Sequence, residues 1–360
     1  MAGPGAFLRH GDGSRGVPLM RWMLAVCLLC LGAAAGAASE PNWGAWAEEV
    51  RKQHPLAGSV YVERKTPTTF VGNVRMDFTA KGTLSRPART GRGLLLPAGI
   101  VLLGEVHDNP AHHQVRAWLI ENSAKASRPS PPAVVFEQIR ADQQPALDRY
   151  KVLTEAGGTT ADDLFRLLEW DKSGWPSAGV YKPLFEAVVA ARLPIFAGNL
   201  PNDQVRAVAR GGTVAPEDRA RLKLDNPMPA SLAEALNREL ADGHCGMLPP
   251  EAIGRMAAAQ RYRDAHLADA LLSAQQRHGA AILIAGNGHV RSDRGVPWHI
   301  RQRAPETRVK TVVLVEVEQG KADPSLYVPR DPEGRPAADL VIFTPRAERG
   351  DPCAAMRKRK

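Results

Sequence analysis

VLLGEVHDNPAHHQ, Val101 to Gln114, sets an apolar run against a polar stop. The run ends on Gly-Glu-Val-His, the chain turns through Asp-Asn-Pro, and two further histidines open a segment with helical spacing. Three other stretches repeat the design. AVVFEQI (133–139), LPIFAGN (193–199) and AAILIAGNG (280–288) are also short, continuous apolar runs with polar or glycine exits. Continuous rather than alternating apolarity suits strands buried on both faces of a parallel sheet. Helical patterns separate the runs: AHHQVRAWLIENSAK after the first, ADDLFRLLEW and KPLFEAVVAAR before the third, and long helices before the fourth. Strands alternating with helices predict an α/β fold, a mainly parallel central sheet flanked by helices. RVKTVVLVEVEQ (308–319) and ADLVIFTPR (338–346) add two more strands.

The segment 203–278 is larger than a crossover requires, and it reads as a helical insertion, or lid, before the last core strand. Pro249-Pro250 opens its longest helix and Gly279 closes it. The α/β domain is expected over 96–348, after a weakly patterned N-terminal segment at 40–95 and before a basic tail at 349–360. Residues 1–39 read as a signal peptide: a basic lead, a short apolar core and an Ala-x-Ala exit. An exported protein, periplasmic or associated with the outer membrane, is the expectation. Neither Cys27 nor Cys30 follows the small residue that a lipid-attachment site wants, which favours a soluble periplasmic product. Beyond the leader only Cys245 and Cys353 remain; they can pair in an oxidising compartment, although no spacing demands it. The net charge is +9, but four of the positive charges are Arg357 to Lys360. For an exported protein with 6% aromatics and no recognised nucleic-acid motif, the expectation is against a role on DNA or RNA.

In an open parallel sheet the carboxyl ends of the strands share one edge, and ligands bind in the crevice there. Four sequence-distant runs thus bring Glu105, His107, Glu137, Asn199, Asn287 and His289 to one rim. Two of them share the spacing Gly-x-x-His, Gly104 to His107 and Gly286 to His289. Alone, either histidine reads as a loop residue bonding a neighbouring backbone group; together they predict a site. Carboxylates on buried strands need a partner, either a metal ion or an arginine such as Arg263 or Arg291. One reading is a divalent metal (Zn, Mn or Fe) on His107, His289 and Glu105. In a metal-dependent hydrolase, Glu105 or Glu137 would then activate water. Asn109 and Pro110 start a helix, so His112 and His113 fall in its first turn as supporting or capping residues. Gln260, Arg263, Asp264 and Leu267 share one helix face that either looks onto the crevice or is solvated. His244, in DGHCGMLPP (242–250), is either a further ligand or part of a helix stop.

The ordered set LLGEVHDNPAHHQ, FEQ, FAGNLP, GHCGMLPP with AAAQRYRDAHLA, and AGNGHVRSDRGVP resembles the ChaN-like haem-binding lipoproteins. These sit in a superfamily with the Tiki metalloproteases and erythromycin esterases. The likeness runs from about His54 to about residue 300. It implies an α/β core with helical inserts and haem as the cofactor, bound for haem or iron acquisition at the bacterial envelope. It also implies an outer-membrane haem or iron receptor and a second copy of the chain as partners. Tyrosine ligation of the iron points to Tyr181, in GWPSAGVYKPLF, with Trp175, Met247 and Met256 as apolar wall. The wider superfamily implies instead a hydrolytic site built from the two Gly-x-x-His motifs and a glutamate. The lack of a convincing lipid-attachment site departs from the family pattern and counts against membrane anchoring, leaving soluble and lipid-anchored forms both open.

Overall fold

Each apolar run forms a strand whose two faces are both covered. The structure, a computed structural model, describes residues 43–61, 76–78, 84–85, 99–127 and 130–357. The expected signal peptide, most of the weakly patterned segment and the last three residues of the tail lie outside them. In chain order come α1 (Trp43–Gln53), β1 (Ser59–Tyr61), β2 (Met76–Phe78), β3 (Leu84–Ser85), β4 (Gly99–Leu103) and α2 (Pro110–Ala126). Then follow β5 (Ala133–Arg140), α3 (Gln144–Ala156), α4 (Ala161–Leu167), α5 (Ala178–Ala190), β6 (Ile195–Asn199), α6 (Asn202–Ala209) and α7 (Pro216–Arg221). The remainder is α8 (Ala230–Gly243), α9 (Pro250–His278), β7 (Ala280–Ile284), α10 (Asn287–Val290), α11 (Val296–Arg303), β8 (Val309–Glu316), β9 (Leu340–Thr344) and α12 (Pro352–Arg357).

The strands form one sheet in the order β3-β2-β1-β9-β8-β4-β7-β5-β6. From β9 to β6 every pairing is parallel, and β1 to β3 add an antiparallel arm at the β9 edge. The period of two explains the continuous apolar runs. On one face Leu103, Val134, Phe136, Ile282, Ile284 and Val312 join the core beneath α2 and α5. On the other, Ile100, Leu102, Ala133, Val135, Ala281 and Leu283 pack against Leu267, Ala268 and Leu271 of α9. Burying one such aliphatic side chain contributes about 1.5–3 kcal/mol, so a run apolar on both faces gains from both.

Segment 203–278 is the helical insertion expected before β7. Its longest helix, α9, lies directly on β5, β6 and β7 as a layer of the core. Pro250 starts it, and Gly279, at φ +78°, ends it in the left-handed conformation that glycine tolerates. The shorter α6 and α7 hold to α9 through Leu200, Val208, Leu222, Ala259 and Tyr262. Cys245, in the turn after α8, forms a disulfide with Cys353 at the start of α12.

Candidate functional site

The turn after β4 admits only glycine at 104. A Cβ there would collide with the Asn287 Oδ1 and with Val290. The next residue, Glu105, drops into the interior and is 2% exposed. Its Oε1 accepts from His107 Nδ1 at 2.7 Å, Gln138 Nε2 at 2.7 Å and the Tyr181 hydroxyl at 3.1 Å. Its Oε2 faces the buried guanidinium of Arg116. Beneath it, His113 accepts from Arg116 through Nδ1 at 2.7 Å, and its Nε2 reaches the His107 carbonyl at 2.9 Å. Burial lowers the His113 pKa to about 4, so it works as a neutral spacer.

A second cluster lies beside the first. Glu137, in β5, is also 2% exposed. Its Oε1 accepts from Arg263 at 2.9 Å and pairs with His289 Nε2 at 3.1 Å, while its Oε2 accepts from the Gly286 amide at 2.7 Å. His289 Nδ1 lies 2.5 Å from Asp264, and the Gln260 amide lies 3.2 Å from the same ring. Burial opposes the imidazolium, but Glu137 and Asp264 outweigh it and raise the His289 pKa to about 9. Burial likewise opposes the Glu137 carboxylate, yet His289, His107 and Arg263 hold its pKa well below the usual range. Both ring nitrogens of His289 therefore donate to carboxylates, Nε2 to Glu137 and Nδ1 to Asp264.

His107 is the open group of the set. Its side chain is 36% exposed, and its ring meets Trp175 edge-on with centroids 4.8 Å apart. Burial lowers its pKa, which keeps the imidazole neutral. Because Nδ1–H donates to Glu105, the lone pair sits on Nε2. That edge faces Gly286, where a Cβ would stand 3.0 Å from Nε2 and crowd it. The rim thus holds one neutral, partly open donor above two buried, charge-balanced clusters.

The sequence profile described as "Haem-binding uptake, Tiki superfamily, ChaN" matches residues 94–300. The chain belongs to the ChaN family. Its fold is similar to "Cofacial heme binding to ChaN of Campylobacter jejuni", with a TM-score of 0.57 and 18% identity over 79% of this chain and 95% of that one. Two further solved structures are more distant. The type III effector HopBA1 has a TM-score of 0.34 and 12% identity, covering 69% of this chain and 88% of that one. RRSP, a MARTX toxin effector domain from Vibrio vulnificus, has a TM-score of 0.34 and 17% identity, covering 63% and 36%. No protein of curated function matches the sequence.

Within this ChaN fold the expected residues divide. Glu105, His107, Glu137, Asn199, Arg263, Asp264, Asn287 and His289 all reach the rim, but not as one metal trio. Glu105 goes with His107 and Arg116, whereas His289 goes with Glu137 and Asp264. Among the described residues no group of three or more His, Cys, Asp or Glu side chains is arranged to hold a metal ion. Asn287 braces the turn: its amide N–H donates to the Glu105 carbonyl at 2.9 Å and its side chain to Leu314 at 2.7 Å. His112 is fully buried rather than a surface cap, accepting from the Val106 amide at 2.8 Å and reaching Thr344 at 2.8 Å. His244 folds back on the Leu240 carbonyl at the end of α8.

Tyr181 is fully buried, its hydroxyl donating to Glu105 rather than facing a cleft. Burial raises its pKa, which disfavours the tyrosinate that would bind iron. Arg116, beneath Glu105, is the site residue that the sequence did not single out. The sign was present in VRAWLI, where an arginine interrupts an apolar helical face.

Proposed function

We propose that this chain binds haem at the carboxyl-end rim of its sheet, with His107 as the axial donor. The carrying observation is the His107 imidazole: neutral, partly open and fixed by Glu105 in the tautomer whose Nε2 is free to ligate. An axial position needs one such donor, whereas a bare divalent ion needs three or more. Trp175, held by its indole N–H on the Gln138 carbonyl at 3.1 Å, would give the macrocycle an aromatic edge. Bound haem supplies iron as cargo; the chain's own residues grip, orient and partly shield it.

Family membership supports the same reading, as does the cofacial haem binding named for the Campylobacter jejuni protein, and a second copy of the chain is part of the proposal. The Cys245–Cys353 bond and the signal-like leader favour an oxidising compartment, hence export and haem or iron uptake from an outer-membrane receptor. Titrating haemin into the purified protein should give a shifted Soret band of fixed stoichiometry. His107→Ala should weaken binding at least tenfold and move the band. A wild-type spectrum identical to free haemin sinks the proposal.

One observation favours a second reading without metal. The Glu105–His107 pair is built like a general base, with Nε2 able to take a proton from water as its oxygen attacks an ester or amide carbonyl. Cleavage of p-nitrophenyl acetate should then survive EDTA and fall about 100-fold in His107→Ala. Equal rates for both proteins would reject this second reading.

A further inference from the structure

Trp175 touches His107 and also lines a separate cleft of about 160 Å³ at the carboxyl ends of β5 and β6. Three guanidiniums from three elements line that cleft: Arg140 at the end of β5, Arg206 on α6 and Arg263 on α9. Among the described residues no carboxylate lines it. Gathering like charges in one recess is unfavourable unless something of opposite charge offsets them. Two are partly matched from outside. Arg140 pairs with Asp142 at 3.0 Å and Arg263 with Glu137 at 2.9 Å. Arg206 is different: its Nε donates to the Asn202 carbonyl at 3.2 Å, and among the described residues no carboxylate pairs with it. The helix that carries it, α6, begins at the cleft with Asp203 in its first turn, which offsets the positive helix end, so the positive charge of the cleft comes from the arginines.

We infer that this cleft binds an anionic oxygen group, a carboxylate or a phosphate. Guanidinium forks match the paired oxygens of both. Ser173 and Asn199 supply further polar lining. The cleft is one side chain from the open donor: Trp175 borders both, and Arg263 is bonded to Glu137, which holds the Gly286 turn against His107. A ligand on His107 that carries acidic arms would place one of them here. For haem that arm is a propionate, an identity that rests on the haem reading, whereas the anion site itself rests on the three arginines. A free anion is the other source.

The test compares haemin, haemin dimethyl ester and inorganic phosphate on the wild-type protein and on the R140Q/R206Q double variant. Both positions reach solvent, so the variant should keep its fold; its circular dichroism checks this. The expected result is a wild-type preference for haemin over the ester of about tenfold, equivalent to about 1.4 kcal/mol. The double variant should lose the preference and retain the Soret position. That outcome assigns the cleft to the propionate. Equal binding of haemin and ester, with phosphate bound about tenfold more weakly by the double variant, assigns it to a free anion. Absence of both a preference for haemin over the ester and arginine-dependent phosphate binding would overturn the inference. Should the wild-type protein bind no haemin, the haem reading fails, and the phosphate comparison alone decides the cleft.

Discussion

His289 and His112 titrate on opposite sides of neutrality, and both are buried. The ordinary value is 6.5; His289 is raised to about 9, and burial lowers His112 to about 3. A raised pKa means that the folded state holds the proton more tightly, so the stability from His289 is complete below pH 6.5 and is lost as pH rises through 9. His112, and with it His113 at about 4 and His299 at about 3, behaves in the reverse sense. Their contribution is complete above pH 6.5 and declines as pH falls toward 3. Both sets are whole near pH 6.5, where urea midpoints should peak. Removing His289 leaves two buried carboxylates without their shared cation. His289→Asn should cost about 3–5 kcal/mol at neutral pH and flatten the alkaline limb of the curve. An unchanged limb in that variant would show that the cation is held elsewhere.

Among the elements, the turn after β4 controls the most. Gly104→Ala would press a methyl against Asn287 and Val290, and overpacking of this kind costs about 1–3 kcal/mol. Since the same turn aims Glu105 and His107, haem affinity should fall along with the melting temperature. Full affinity with a lowered melting temperature would separate the two roles. The strands themselves were legible because β4, β5 and β7 are buried on both faces, and such burial leaves unbroken apolar runs. The antiparallel arm was not, since strands of three, three and two residues carry no period that a sequence can display. Helix α9 was legible from Pro250 and Gly279, but the layer it packs into was not. Its alanines and leucines fit a lid or a core layer equally, and only Ala133, Val135 and Leu283 on the facing strands decide between them.

Across the whole molecule, topology made the rim foreseeable and left the pairings hidden. Parallel strand ends must share an edge, so Glu105, His107, Glu137 and His289 could be gathered from the sequence alone. Which carboxylate meets which cation depends on side-chain reach across the sheet. Arg116 under Glu105, and Arg263 over Glu137, follow from how α2 and α9 lie on opposite faces. The Cys245–Cys353 bond has a separate consequence, because it spans 108 residues. That stretch is a covalent ring enclosing α9, β7, β8 and β9, and with them Arg263, Asp264 and His289. Closing a ring of this size restricts the unfolded chain by about 4.7 kcal/mol in the entropic account, so the C245S/C353S double variant should unfold at clearly lower urea. The exposed stretch around Lys321 lies inside the ring. Trypsin cutting there would give a nicked protein that migrates as two fragments only after reduction, with β9 and α12 still tethered to the rest of the sheet until then.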